Sequence, residues 1–252
     1  MKPAVNGYVR AVTTVPFDQV VVVIPAHNEA RRLPRCVDSV STAAAQLAAP
    51  VLTVCVLDAC DDSSDRLTAR FAAEGVHIVA IDARNVGAAR AAGFAHARSA
   101  CGVVDESRVW YANTDADSRV DVDWLVRQTV AGADMVLGVV RVARWHRLWN
   151  AGIRRYLSVY RSKPAPAGSE HGHVHGANMG FAADVYWRAG GFAPLTSGED
   201  VDMVRRFEEL GARIRRDAGL SVQTSARRAG RAPGGFAAHL RAIDHFVVAG
   251  RR

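Results

Sequence analysis

Two carboxylates separated by one small residue stand out in this chain, Asp115 and Asp117 within the stretch WYANTDADSRV. An apolar strand is expected to run directly into them, which would place both side chains on one tight loop. Hard divalent cations take such oxygen ligands and often keep open positions for phosphate oxygens. For an isolated pair the favoured alternative is a polar turn that caps the next helix, so the rest of the chain must decide.

A second candidate for chemistry is the segment Gly198-Glu199-Asp200, which precedes a helical pattern. A carboxylate that faces a cleft from this place could accept the proton of an attacking hydroxyl group. The structural alternative is an acid in the first turn of a helix, where the helix dipole favours negative charge. The position alone leaves both interpretations open.

Three histidines alternate at His171, His173 and His175, within a stretch, 161–175, whose composition predicts a loop. A long loop in a compact domain is often a functional lid. Histidines this close could bind a transition metal, but no cysteine or acidic ligand accompanies them, so surface solvation or substrate contact is favoured. The next three residues suit a close approach to a sugar or an acceptor: Gly176, Ala177 and Asn178.

The candidate residues require elements that bring them together. Continuous β-branched and apolar runs predict buried strands, and the segments between them have helical patterns with capping residues. This alternation predicts βαβ units and a doubly wound α/β fold with a mostly parallel sheet. The predicted strands cover 19–24, 51–57, 76–81 and 109–112, and the predicted helices cover 33–49, 65–74 and 88–100.

Polar residues follow the ends of these strands. Because the carboxyl ends of parallel strands share one edge of an open α/β sheet, where ligands bind, the residues are expected to meet in one cleft. No G-x-G-x-x-G or P-loop pattern follows the first strand, which disfavours a dinucleotide oxidoreductase and a P-loop NTPase. The residues expected at this edge are Glu29, Asp58, Asn85, Asp115 and Asp117.

The second half predicts a helix over 123–131, a strand over 135–142, a strand that begins near 179 and a helix that follows Asp200. Between them, the stretch 145–160 is amphipathic and carries aromatic residues. A helix that packs on the core is favoured for it, and a helix that contacts an acceptor or a membrane surface is the alternative.

The composition is that of a globular protein of 252 residues with a formal charge of +7. No aromatic-interleaved basic stripe of the kind that grips single strands is present, so nucleic acid is not an expected partner. The four cysteines form no C-x-x-C pair, which favours a reducing compartment. Neither a signal peptide nor a transmembrane segment is predicted. We therefore expect a soluble, cytoplasmic protein, with peripheral membrane contact left open.

Several stretches together resemble a known family. VVVIPAHNEA, VLDACDDSSD, ARNVGAARAAG and NTDADSRV, and later HGANMGF, GEDVDMVRRFEELG and TSARRAGR, are similar in order to the motifs of family 2 type glycosyltransferases with the GT-A fold. The resemblance extends from about residue 18 to residue 235. It implies one GT-A domain over 1–252, with a nucleotide-sugar-binding half at about 18–120 and an acceptor and catalytic half at about 121–252.

The resemblance also implies roles for matched positions. Asp117 is the more direct ligand of Mn²⁺ or Mg²⁺, with Asp115 nearer the ribose, and Asp200, preceded by Glu199, is the catalytic base. The usual second motif reads D-D-G-S, whereas Asp58 is followed here by Ala59 and Cys60, so Asp61 and Asp62 stay open as alternative contacts to the base. The nucleotide positions are Pro25, Ala26, Glu29, Asp58, Asn85, Gly87, Arg90 and Asp115.

We therefore predict a metal-dependent, inverting glycosyltransferase that moves a sugar from a UDP- or GDP-sugar to an unidentified hydroxyl acceptor. The basic stretch TSARRAGR offers arginines that could assist the leaving diphosphate, and a downstream histidine could complete the metal site. These candidates are Arg227, Arg228, Arg231, His239 and His245. The alternatives are a sugar-nucleotidyltransferase, which the loop PAHNEA disfavours, and an inactive domain that binds nucleotide sugars.

Overall fold

The computed structural model describes residues 12–102, 105–142, 158, 160 and 163–225. The strands in these ranges are β1 Gln19–Ala26, β2 Val51–Asp58, β3 His77–Ile81, β4 Val109–Asn113, β5 Arg119–Val120, β6 Met135–Val142, β7 Met179–Ala182 and β8 Ile214–Thr224. The α-helices are α1 Leu33–Ala44, α2 Thr68–Ala73, α3 Val86–Ala100, α4 Trp124–Thr129, α5 Ala183–Arg188 and α6 Glu199–Glu209, and short 3₁₀ turns cover Ser63–Leu67 and Glu106–Arg108.

The described strands form one sheet in the order β3-β2-β1-β4-β7-β6-β8-β5. The first four strands of the chain pair in parallel, with β1 in the centre between β2 and β4. β7 runs antiparallel between β4 and β6, and β8 then pairs in parallel with β6. The predicted α/β architecture with a mostly parallel sheet is confirmed.

The β-branched run in β1 explains the position of that strand. Residues Val20 to Ile24 are completely buried, because neighbouring strands cover both edges and helices cover the faces. The four predicted strands of the first half are all present, with ends shifted by one or two residues. Their carboxyl ends lie at the same edge of the sheet, as parallel pairing requires.

The first helix is shorter than its alanine-rich sequence predicts. α1 ends at Ala44, and the chain then turns so that Leu47 forms a parallel bridge with Thr13. The backbone N–H of Ala48 donates to the Thr13 carbonyl oxygen over 3.0 Å. Tertiary pairing with a segment far away in sequence thus overrides the helical propensity of the alanines.

Two strands of the second half have no counterpart in the sequence-based assignment. β5 has two residues and pairs antiparallel with β8, and the register of β8 against β6 shifts between Leu137 and Val139. β8 carries several charged residues and a glycine, IRRDAGLSVQT, so its pattern does not alternate cleanly. Its last residue, Thr224, lies at the edge where the cleft forms.

Aromatic rings fill the space between the sheet and the helices of one face. Phe94 of α3 stacks on Tyr111 of β4 with 4.7 Å between ring centroids, and Phe181 stacks on Tyr186 at 5.2 Å.

In the parts of the chain that the structure describes, no helix has the length and apolar content needed to cross a membrane.

Candidate active site

A cavity of about 1160 Å³ opens at the carboxyl edge of the sheet and is lined by both halves of the chain. Its size and location suit a nucleotide together with a second substrate. Twelve of the residues assigned a nucleotide, metal, catalytic or acceptor role from the sequence line it, and so do the further candidates Asp61, His173 and His175. The twelve are Pro25, Ala26, Glu29, Asp58, Asn85, Arg90, Asp115, Asp117, Gly176, Ala177, Glu199 and Asp200.

Asp58 holds a loop at the floor of this cavity. One carboxylate oxygen accepts the backbone N–H groups of Ala83 and Arg84, each over 2.8 Å, and the other accepts that of Asn85 over 2.7 Å. The side chain is 4% exposed. Asp58 thus fixes the turn between β3 and α3, although it also borders the cavity.

Asp58, at the end of β2, and Asp61 and Asp62, in the loop after it, have different surroundings. Asp62 caps the following 3₁₀ turn by accepting the N–H of Ser64, and it also accepts the N–H of Ala30. The exposed side chain of Asp61 lines the cavity and forms no hydrogen bond with a described residue. Of the three, Asp61 has the carboxylate with the greatest freedom to meet a ligand.

The loop after β1 is built to hold these aspartates in place. Asn28 adopts a left-handed backbone conformation, with φ 55°, and its side-chain oxygen accepts the N–H groups of Asp61 and Asp62. His27 pairs through Nδ1 with the Asp58 carbonyl oxygen over 2.7 Å. Glu29 is buried, and Arg32 approaches it at 3.3 Å.

Asn85 and Gly87 form the start of α3. The Asn85 side chain caps the helix by accepting the N–H of Ala88 and donates to the carbonyl oxygen of Pro194 over 2.9 Å. A Cβ atom at Gly87 would overlap the carbonyl oxygen of Ala193. Gly87 is buried and does not line the cavity, so its position reflects close packing of α3 against the loop that precedes α6.

Asp115 and Asp117 project from the loop between β4 and β5. The Asp115 side chain is 40% exposed, and Thr224 at the end of β8 approaches the Asp117 carboxylate at 3.5 Å. Two carboxylates and a hydroxyl are hard oxygen donors that fit Mg²⁺ or Mn²⁺ when phosphate oxygens complete the shell. The described residues contain no group of three or more histidine, cysteine or acidic ligands for a metal.

Arg90 lies buried between the two halves of the cavity, with 2% of its surface exposed. Its Nη2 donates to Asp115 over 3.0 Å, and its Nη1 pairs with Glu199, which is itself buried. Burial alone would lower the pKa of Arg90, but the charges of Asp115, Glu199 and Asp200 raise it above its usual value. Arg90 is therefore a permanent cation.

Asp200 lies in the first turn of α6, and both of its oxygens accept backbone N–H groups. Oδ2 accepts from Gly176 and Oδ1 from Val201, each over 2.8 Å. The carbonyl oxygen of Gly176 in turn accepts from the side chain of Asn113 at the end of β4. This chain of contacts fixes the direction of the Asp200 carboxylate at the cavity wall.

Asn178 is placed differently from its predicted neighbours. It is completely buried and outside the cavity lining, and its oxygen accepts from the Trp124 indole over 2.8 Å. Its amide nitrogen donates to the carbonyl oxygens of Val139 and Leu220, at 2.9 and 3.0 Å. Asn178 thus joins three elements in the structure: α4, β6 and β8.

Some predicted site residues lie outside the described residues. They are Arg227, Arg228, Arg231, His239 and His245, together with most of 145–160.

The alternating histidines form a stacked row inside the protein. Their stretch is a loop from 163 to 175, as predicted, but His171 and His173 are 7% and 6% exposed. The His173 ring stacks on Tyr160 with 3.7 Å between centroids, and the Tyr160 hydroxyl pairs with His175 over 3.0 Å. Burial, with help from Lys163 and His171, lowers the pKa of His173 to about 4.

Several lining residues were given no individual role from the sequence. Tyr160, Lys163 and Pro164 come from the stretch treated as an amphipathic helix and a loop, and Thr224 ends a strand that was not predicted. Arg84 lies in the turn that Asp58 holds. The sequence marked this side of the cavity through the predicted loop over 161–175 and its alternating histidines, without naming these residues.

Comparisons with known proteins bear on the family and the fold of this chain. The family model described as glycosyl transferase family 2 matches residues 21–189. A mannosyltransferase from Pyrobaculum calidifontis, PcManGT, in complex with GDP-Man and Mn²⁺, is similar in structure with a TM-score of 0.60 and 20% identity, covering 96% of this chain and 67% of that one. No curated protein matches the sequence.

Two further structures have the same fold. The S. aureus TarS fragment 1–349 in complex with UDP-GlcNAc has a TM-score of 0.60 and 11% identity, with 86% of this chain and 61% of that chain covered. Glucosyl-3-phosphoglycerate synthase from Mycobacterium tuberculosis, with Mn²⁺, UDP and phosphoglyceric acid, has a TM-score of 0.55 and 18% identity, with 90% and 77% covered. This chain thus spans about three fifths of the TarS fragment.

Proposed function

Because this chain belongs to glycosyl transferase family 2, we propose that it is a metal-dependent, inverting glycosyltransferase that acts on a nucleoside diphosphate sugar. The observation that carries the proposal is the meeting of Asp115, Asp117 and Asp200 in one cavity. Two carboxylates suited to a cation and a third suited to a proton are the groups that such a transfer requires.

The nucleotide is proposed to lie against the loops after β1, β2 and β3. Proteins similar in fold were captured with UDP, UDP-GlcNAc or GDP-Man, which supports a UDP- or GDP-sugar donor here. Pro25, Ala26 and Glu29 border this part of the cavity, and Asp61, whose carboxylate also lines it, is proposed to meet the base. Asp58 and Asn85 would act by holding the loops that the nucleotide contacts.

Mn²⁺ or Mg²⁺ would be held by Asp117 and Asp115, and two similar structures contain Mn²⁺. When bound, the cation offsets the negative charge that develops on the departing diphosphate. Arg227 and Arg231 are proposed to add positive charge near this group. Thr224 would orient Asp117 through the contact at 3.5 Å.

Asp200 is proposed to take the proton from the acceptor hydroxyl as its oxygen attacks the anomeric carbon. The two N–H groups on its carboxylate hold the side chain in one orientation and leave lone pairs for the acceptor. Direct displacement from the face opposite the leaving diphosphate inverts the anomeric configuration. Gly176 and Ala177, next to Asp200, would border the sugar and the acceptor.

The test is to incubate the protein with a panel of UDP- and GDP-sugars and Mn²⁺, and to measure the nucleoside diphosphate released. We expect release with at least one donor and its loss on addition of EDTA. Donor binding without release or transfer would indicate an inactive binding domain. Release of pyrophosphate from a nucleoside triphosphate and a sugar 1-phosphate would indicate a sugar-nucleotidyltransferase.

A further inference from the structure

We propose that Arg90 is a positioning residue that sets the distance between the cation-binding loop and Asp200, and that it does not bind the donor. This inference rests on the proposed function, in which Asp115 and Asp117 hold the cation and Asp200 takes the proton. Sequence resemblance instead placed Arg90 among the residues that contact the nucleotide.

One guanidinium group joins the two halves of the site. Its Nη2 is bonded to Asp115 at 3.0 Å, and its Nη1 is bonded to Glu199, the residue directly before Asp200. A guanidinium is planar and presents its donors in a fixed fork, so two carboxylates bound to it are held at a set separation. Glu199 accordingly acts through Arg90 rather than on a substrate.

The surroundings of Arg90 leave it little room to move. The Phe192 ring lies 5.5 Å from the guanidinium carbon, within the range of a cation–π contact. On another side, a Cβ atom at Gly176 would collide with the guanidinium. Gly176 is also the residue whose N–H orients Asp200 over 2.8 Å, so Arg90 and the proposed base share a neighbour.

The charge of Arg90 has a second effect on the site. Asp115, Glu199 and Asp200 all stabilise the cation, and the cation in turn reduces the repulsion among these carboxylates. Asp115 gives Arg90 one oxygen only, and its side chain remains partly exposed to the cavity. The arrangement therefore holds Asp115 in place without removing it from the proposed cation site.

The kinetic test uses Arg90→Lys, which keeps the charge but replaces the fork with a single ammonium group. If Arg90 positions the site, we expect kcat to fall about 100-fold, the loss that a displacement of about 1 Å can cause. Binding of UDP or GDP without metal should stay within threefold of the wild type. A kcat within threefold of the wild type, or a nucleotide affinity that falls as far as kcat, would overturn the proposal.

A matched control separates positioning from a general loss of stability. Phe71→Leu changes a completely buried residue of α2 that does not line the cavity. At an equal drop in Tm it should keep kcat per folded molecule, and a 100-fold loss in this control as well would refute positioning. If Arg90→Lys does not fold, Glu199→Gln is tested in its place. For this variant too we expect kcat to fall while nucleotide binding stays within threefold of the wild type.

A measurement that does not need activity tests the bridge itself. Arg90→Met leaves a buried carboxylate without its partner, whereas Arg90→Met with Glu199→Met removes both charges. We expect the double variant to unfold at a higher temperature than the single variant, and the reverse order would argue against the bridge. If the wild type transfers no sugar, the proposed function fails, while this order of Tm values still decides whether Arg90 joins the two halves.

Discussion

The buried histidine row should make this protein sensitive to acid, and His173→Phe should remove much of that sensitivity. His173 is 6% exposed, and its pKa falls from the usual 6.5 to about 4 because burial disfavours the charged ring. In the unfolded chain the ring takes up a proton near pH 6.5, whereas in the folded protein it does so only near pH 4. The stability that the neutral His173 ring contributes is therefore present above the unfolded pKa of 6.5, and it is lost as the pH falls toward 4.

The size of the effect follows from the two pKa values. Linkage of proton binding to folding converts them into a loss of about 2 kcal/mol in the free energy of unfolding between pH 7 and pH 5. The loss would approach about 3 kcal/mol near pH 4. Phenylalanine keeps an aromatic ring for stacking on Tyr160, at 3.7 Å in the wild type, but cannot titrate.

The assay is urea unfolding at pH 7 and pH 5 for the wild type, His173→Phe and the control Phe71→Leu. The His173 variant should lose about 2 kcal/mol less than the wild type between the two pH values, since only its titration is removed. Phe71→Leu should be less stable at both pH values but should show the wild-type pH dependence. Equal losses in the wild type and the His173 variant would refute the reasoning.

Other substitutions test the loops and the cavity. Asp58→Ala should lower the free energy of unfolding by about 2 to 4 kcal/mol in urea, because three backbone N–H groups lose their acceptor. Gly87→Ala should cost about 1 to 3 kcal/mol in the same assay, because the added carbon overlaps the Ala193 carbonyl. Asp117→Asn should abolish Mn²⁺ binding, measured by electron paramagnetic resonance of the free ion. Asp200→Asn should keep donor binding and lower transfer about 100- to 10,000-fold, and an equal loss of both would sink the assignment of the base.

The first half of the fold could be predicted because its strands are buried on both faces. A run such as Val20 to Ile24 has few alternatives to a central parallel strand. β8 could not be predicted in the same way, because its pairing with β6 shifts in register and its other edge pairs only with the short β5. It also carries charged residues that pair with α4 and with the histidine loop. Asp217, for example, pairs with Arg127 at 2.8 Å, which no local pattern reveals.

The edge of the sheet could be predicted as the site, but the direction of each side chain could not. A carboxylate after a strand can face a ligand or accept N–H groups from the next loop, and the choice depends on the conformation of that loop. Asp58 accepts three N–H groups, whereas Asp61, three residues later and exposed, faces the cavity. Asn28, at a positive φ, helps to fix the position of Asp61, because its side-chain oxygen accepts the N–H groups of Asp61 and Asp62.

Asp115 and Asp117 also differ in their contacts, although one residue separates them. The sequence assigned Asp117 as the more direct ligand and Asp115 as the residue nearer the ribose. Asp115 is bonded to the buried Arg90, and Asp117 is approached by Thr224. Asp115 is therefore tied to the helix that carries Asp200, while Asp117 is tied to the end of β8. A cation held between them would be fixed by contacts from both α6, which carries the proposed base, and β8, so the pair would join the two halves of the cavity.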